Sequence, residues 1–168
     1  MSIAGDFRTH IIRPVLRYLG ETDTRLESKA AENLLLGTAI KESGNFRHIT
    51  QIGGPALSFF QIEPETFDDV YHRYLGIQRP DILGAVNDFA VRAMSNKAQL
   101  SGNPHFSCAI ARIKFWMVPQ PLPDSKDIDG LGCYWDKHYN CNPDHGTGPE
   151  WALMFRKFAK GENYERHG

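Results

Sequence analysis

Three cysteines in 168 residues are too few, and odd in number, to build a disulfide framework. Cys108, Cys133 and Cys141 therefore point to synthesis in a reducing compartment. Charge of one sign is also lacking: the formal net charge is −1. That excludes the basic field of a dedicated nucleic-acid binder and gives no long-range pull toward an anionic wall. No apolar run approaches the roughly 20 residues of a membrane span. The opening Met1-Ser2-Ile3-Ala4-Gly5-Asp6 has neither a charged n-region nor an apolar h-region, so no secretory signal is expected. No Gly-x-Gly-x-x-Gly or Walker-type loop supports nucleotide chemistry, and no Gly-x-Ser-x-Gly elbow supports an α/β-hydrolase nucleophile. Internal repeats, low-complexity tracts and convincing strand alternation are absent.

What is present is helical periodicity. Apolar residues make up 41% and charged residues 23%, which suits a globular chain of one ordinary domain. Phe7, Ile11, Val15, Leu16 and Leu19 line one face of a first helix stopped at Gly20. Thr24 and Glu27 read as a capping box for a second helix, with Ala31, Leu35, Ala39 and Glu42 on one stripe and Gly44 as its stop. Pro64 suits the first turn of a third helix carrying Phe67, Val70, Tyr71, Tyr74 and Leu75 and ending at Gly76. A fourth starts near Asp81 with Ile82, Val86, Phe89, Ala90 and Ala93. Asn103-Pro104 opens another, with Phe106, Ala109, Ile110, Ile113 and Met117. The alternating prolines of 118–123 require a loop. Ile128, Leu131 and Trp135 mark a weaker helix, and Pro149 opens the last, with Trp151, Met154, Phe155 and Phe158 inward. The expected fold is all-α: one mainly helical domain over residues 1–168, with at most a short irregular β element near 46–62.

Glu42 closes an apolar helix and is followed by a Gly/Pro-rich turn, Gly53-Gly54-Pro55, and by Phe59-Phe60-Gln61. Burial and the negative end of the helix dipole both disfavour its carboxylate, so it can hold a proton near neutral pH and deliver it to a leaving oxygen. The plain alternative is a solvated glutamate at a helix end. Ser43 can hydrogen-bond locally, the glycines let backbone approach a ligand, and Gln61 offers a donor and an acceptor to a sugar.

Glu42-Ser43, the Gly-rich turn ending in Gln61, then Pro64 and Thr66, resemble the goose-lysozyme and soluble lytic transglycosylase superfamily. Asn103-Pro104 looks like that family's later helix start. Tyr139-Asn140 with Gly146 and Gly148 looks like its Tyr-Asn-Ala-Gly segment. These landmarks cover residues 42 to about 148, and their wording is most similar to small lysozyme-like virion proteins of tailed bacteriophages. The resemblance implies a lysozyme-like fold and cleavage of the β-1,4 bond between N-acetylmuramic acid and N-acetylglucosamine. Glu42 would be the general acid and then base, with Ser43, Gln61, Tyr139 and Asn140 shaping the substrate site. No metal or cofactor is implied. The implied partners are the peptidoglycan glycan strand and other virion proteins, with no nucleic acid and no membrane span. The implied location is the phage virion, made in the host cytoplasm and acting in the periplasm and cell wall during genome delivery. A lytic transglycosylase leaves an anhydro end, whereas a muramidase needs a positioned water and commonly a second carboxylate. Glu63, Glu65, Asp68 and Asp69 are near in sequence, although Glu65 and the two aspartates also suit a helix N-terminus.

One departure puts activity, rather than fold, at issue. Ser58 stands where the family has glycine, and Phe59-Phe60 where it has Leu-Met. A catalytically inert virion structural protein with the same fold is the alternative. A third reading rests on Cys133, His138, Cys141 and His145, whose residue types suit zinc although their spacing is not that of a standard finger. Trp116, Trp135 and Trp151 could stack on sugars, but their helical placement makes core packing the default, as it does for Cys108.

Overall fold

The computed structural model describes residues 2–140 and 143–159. It is mainly helical, as composition and periodicity lead one to expect. We label its helices α1 (residues 3–22), α2 (Lys29–Glu42), α3 (residues 64–78), α4 (Pro80–Asn87), α5 (Asn96–Gly102), α6 (Pro104–Trp116), α7 (Ile128–His138) and α8 (Gly148–Phe158). Among the described residues the only β pairing is two isolated antiparallel bridges, Thr50 with Leu57 and Leu57 with Ile62. They tie together the irregular segment expected near 46–62.

The fold is organised around α2. Ser28 caps it, its hydroxyl accepting from the Ala31 N–H at 3.0 Å. The expected Thr24/Glu27 capping box does not form. Thr24–Leu26 is instead a tight 3-10 turn capped by Asp23, and it reverses the chain between α1 and α2. Ala31 and every residue from Leu34 through Ile40 are buried. The helix is therefore enclosed on all sides rather than presenting one apolar stripe, as a central helix must be. α8 crosses it where Gly37 leaves no side chain, and the Trp151 ring occupies the space a Cβ would need. The Trp151 and Phe155 rings stack at 5.4 Å behind that contact. A second close crossing joins α7 to α8, Gly132 lying against the Gly148 carbonyl. One hydrophobic core thus takes side chains from Ala4 through to Phe155.

Two helices contain wide turns that shift the face expected from a 3.6-residue repeat. In α1 the turn Arg8–Ile12 is a π-helical segment. It buries Ile12 completely and leaves the expected Ile11 only partly covered. α1 also continues past Gly20 to Thr22, because Gly20 serves as the seat for the Glu27 side chain rather than as a stop. In α3 the segment Asp69–Leu75 is likewise π-helical, and the helix runs through Gly76 to Gln78. The helix starting near Asp81 is cut short at Asn87. Buried Gln99 and Asn103 take over the backbone beyond it: Gln99 Oε1 accepts from Val91 N–H at 2.8 Å, and Asn103 Nδ2 donates to Phe89 O at 2.7 Å. These bonds replace the helical ones that the Val91 N–H and the Phe89 carbonyl would have made, and α5, capped by Ser95, follows.

Candidate functional site

α2 ends in a Schellman turn. The Asn45 N–H reaches Ile40 O at 2.7 Å, the Gly44 N–H reaches Lys41 O at 3.4 Å, and Gly44 adopts φ +59°. Glu42 is consequently the last helical residue, and the chain turns away directly after it. Ser43 holds this turn. Its hydroxyl donates to Ala39 O at 2.6 Å and accepts from Phe46 N–H at 2.7 Å, fully buried. With both roles used and no access to the cleft, Ser43 positions Glu42 from behind rather than contacting a ligand.

Glu42 lies in a cleft of about 630 Å³. Its walls are the turn carrying Gln51, Gly53, Gly54 and Pro55, the segment with Gln61 and Glu63, Lys114 from α6, and Tyr139 and Asn140 after α7. Gly53 sits at φ +73° with open space around it, and Gly54 leaves room for the Gln51 amide. The cleft thus brings together Glu42, Gln61, Tyr139 and Asn140 of the expected site residues. Three of the polar residues beside Glu42 have a group engaged. Gln61 Nε2 donates to Ser58 O at 2.7 Å within its own loop. Tyr139 donates its hydroxyl to Phe60 O at 2.7 Å, and Asn140 Nδ2 donates to Gly146 O at 2.8 Å. They brace the walls, one fixing the Gln61 loop and the other the segment before α8.

The departures at Ser58, Phe59 and Phe60 do not narrow the cleft. Ser58 occupies the left-handed region at φ +73°, a conformation that favours glycine, and its hydroxyl accepts from Phe60 N–H at 3.1 Å. Phe60 is fully buried. Phe59 meets Phe7 and Phe46 edge-on at 5.6 and 5.4 Å. Both rings face the core side of the loop, and neither lines the cleft.

The closest partner of Glu42 is one that helical pattern assigned to the core. Fully buried Trp135 donates its indole N–H to Glu42 Oε1 at 3.0 Å. An indole nitrogen can only donate. Oε1 is therefore an acceptor in either ionisation state, and the bond favours the acid proton on Oε2, since a carbonyl oxygen accepts better than a hydroxyl. The carboxyl is pushed up to about 7. Burial is the largest cause; the indole hydrogen bond and the charges of Lys114 and Lys41 pull the other way without cancelling it. A group poised near neutrality can both give and retrieve a proton. Trp135 precedes Tyr139, the C-cap of α7, by one helical turn, a spacing that already puts both on one side.

Lys114 is the other contributor that periodicity missed. It interrupts an apolar helix, its Nζ lies 3.6 Å from the Tyr139 ring centroid, and it donates to Tyr139 O at 3.2 Å. Lys41 pairs with Glu150 Oε2 at 3.5 Å and lies 6.0 Å from the Trp135 ring centroid. Of the nearby acids, Glu63 lines the cleft, and although it precedes α3 its side chain makes no cap. Glu65 lies in the first turn of α3, Asp69 pairs with Arg73, and Asp68 lies 3.8 Å from His72.

The zinc reading finds no support. Among the described residues no three His, Cys, Asp or Glu side chains gather as a metal site. Cys133 is exposed, His138 packs on Tyr134 at 4.5 Å and His145 lines the cleft, while Cys141 lies outside the described residues. The Arg25 and Arg112 guanidinium groups lie over the Trp116 ring at 5.0 and 5.5 Å, and none of the three tryptophans lines the cleft. Among the described residues no helix is long and apolar enough to cross a membrane. Comparison with protein-family models, curated proteins and solved structures finds no match for this chain.

Proposed function

We propose that this chain cleaves the glycan strand of peptidoglycan at the β-1,4 bond between N-acetylmuramic acid and N-acetylglucosamine, with Glu42 as general acid and then base. The observation that carries this reading is one carboxyl pushed up to about 7 in the wall of a polar cleft and tethered through a single oxygen. Oε2 delivers its proton to the bridging oxygen as the bond from that oxygen to C1 of the muramoyl sugar breaks. In the transglycosylase course the muramoyl 6-hydroxyl then attacks C1, closing an anhydro ring, and its proton returns to Glu42. Gln61 and the Gly53-Gly54 backbone supply neutral hydrogen-bonding groups for sugar hydroxyl and N-acetyl substituents.

A hydrolytic course is favoured by one observation: Glu63 is a second carboxylate at the cleft with no capping duty. It would hold a water for attack on C1 and leave a reducing end. The resemblance to small virion proteins further supports a role in a phage particle that opens the wall for genome delivery. The inert alternative loses its main argument, since the phenylalanines point into the core.

Purified protein incubated with Gram-negative peptidoglycan should release soluble muropeptides. Glu42→Gln should cut release by about a hundredfold or more while leaving the helical circular dichroism unchanged. No release by the wild-type chain would remove the catalytic reading. Anhydro ends in the products select the transglycosylase course and reducing ends the hydrolytic one. Mass spectra of purified phage particles test the virion role.

A further inference from the structure

The ionisable groups that share the cleft with Glu42 come from every element around it: Lys41 on α2, Lys114 on α6, Tyr139 after α7, His48 and Glu63 from the loops between α2 and α3, and His145 before α8. Lys41 is the chain neighbour of the acid, yet its ammonium is directed elsewhere. Its Nζ meets Glu150 Oε2 on α8 at 3.5 Å, and the Lys41 side chain is only 14% exposed. Gly146 is the seat of that pair. It adopts φ +111°, and a Cβ there would collide with both Lys41 Nζ and Glu150 Oε2. The backbone beneath is fixed on both sides, Asn140 Nδ2 donating to Gly146 O at 2.8 Å and the Gly148 N–H donating to Asp136 Oδ2 at 3.0 Å. Glu150 is held in turn by the capping box of α8, its Oε2 accepting from the Thr147 N–H at 2.8 Å. That bond and the Lys41 charge hold its carboxyl below the usual range, so it stays ionised where Glu42 titrates. Glu150 does not line the cleft, so a bound glycan has no contact with it.

We propose that Glu150 is a positioning residue for the general acid: it draws the Lys41 ammonium onto the Gly146 backbone and keeps it from pairing with the Glu42 carboxyl. The inference rests on the reading of Glu42 as general acid and adds a residue outside the cleft that keeps that acid usable. The physical basis is competition between two carboxylates for one cation. Even from its paired place Lys41 pulls the Glu42 titration downward. Released from Glu150, the ammonium would meet a carboxylate in the same partly desolvated wall, where a direct pair is stronger than at the surface. Glu42 would then hold its charge and have no proton to give. The bridge itself adds little to stability, because Glu150 is 57% exposed. Its effect lies in where it places the cation.

The test is the titration of the Glu42 carboxyl, followed by carbon-13 NMR of the glutamate-labelled full chain and assigned by the signal that Glu42→Gln removes. Glu150→Gln keeps a side chain that serves the capping box and removes only the charge. Its Glu42 midpoint should fall by about half a pH unit or more, roughly a threefold loss of proton affinity. Lys41→Met should move the midpoint the other way. The double variant should titrate with Lys41→Met, because without the ammonium Glu150 has nothing to hold. Thr147→Ala breaks the capping box without touching either charge and should leave the midpoint at the wild-type value. Where turnover is measured, the upper limb of the pH–rate profile should follow the same order. A Glu42 midpoint unmoved in Glu150→Gln overturns the positioning role and leaves the cleavage reading standing. So does a fall that persists in the double variant, since it would not act through Lys41, or an equal fall in Thr147→Ala, since it would come from the cap. Midpoints that move as stated in a chain without turnover support the positioning role and remove the cleavage reading. A wild-type midpoint at the ordinary carboxylate value overturns both.

Discussion

The two ends of α2 carry the same side chain and treat it in opposite ways. Glu32, in the first turn, lies at the positive end of the helix dipole. Its Oε1 meets Arg8 at 2.6 Å, Lys29 at 2.6 Å and Arg13 at 3.1 Å. Burial pushes its carboxyl upward, but the hydrogen bonds from Arg13, Lys29 and Arg8 outweigh it and hold the group down to about 2. Glu42, in the last turn, lies at the negative end and receives one neutral N–H, with two lysines that do not pair with it directly. Burial wins there, and the group rises to about 7. Residue type is shared, and desolvation pushes both carboxyls upward. The number of charged donors within hydrogen-bond reach makes one carboxylate a structural anion and the other a proton carrier.

The largest effect on stability is expected at the Glu32 end. Glu32→Gln removes the carboxylate bonded to buried Arg8 and should destabilise the fold by about 3–5 kcal/mol, read by urea unfolding at pH 7. Because the folded value lies below the ordinary 4.5, the contribution of Glu32 is full above about 4.5 and is lost as pH falls toward about 2. A variant as stable as wild type at pH 7 would break the contrast between the two ends.

Glu42→Gln should act in the reverse direction. The folded carboxyl, at about 7, lies above the ordinary 4.5. Wild-type stability therefore declines as pH rises from about 4.5 through 7, where the unfolded chain ionises first. The amide escapes that cost, so the variant should be more stable by about 1–3 kcal/mol at pH 8 and indistinguishable at pH 4, by thermal melts at the two values. A loss of stability at pH 8 would mean that the Glu42 charge is compensated after all.

A smaller effect isolates the indole. Trp135→Phe removes the donor that favours ionised Glu42, so the carboxyl should titrate still higher and the upper limb of the pH–rate profile should move to higher pH. Loss of the bond and of ring volume should cost about 1–2 kcal/mol of stability. Smallest of all, Ser28→Ala removes the cap at the Glu32 end and should cost about 1 kcal/mol without changing the pH profile of activity.

Much of this was legible beforehand. Pro64, Asn103-Pro104 and Pro149 marked helix starts, and Gly44 marked the end of α2, because their backbone restrictions act locally. Glu42 was legible as an apolar-stripe glutamate at a helix end. The misplaced boundaries have tertiary causes. Gly20 reads as a stop until Glu27 packs against it, and Phe89 to Ala93 read as helix until Gln99 and Asn103 claim their backbone. Ser43 reads as a cleft residue next to Glu42, yet the Schellman turn rotates it into the core. Phe59-Phe60 reads as an obstruction because sequence does not say which side of a loop its side chains take.

The order of residues by itself determined an all-helical chain with one glutamate closing its central helix, since helix formation and termination depend on neighbours a few positions away. Only the tertiary structure decided that Trp135 would bond Glu42 from the core side and that Lys114 would share its cleft, both more than 70 positions away along the chain. Desolvation and charge act through space over a few ångströms. The proton affinity of a side chain is accordingly set by what folding brings beside it, whatever its distance along the chain.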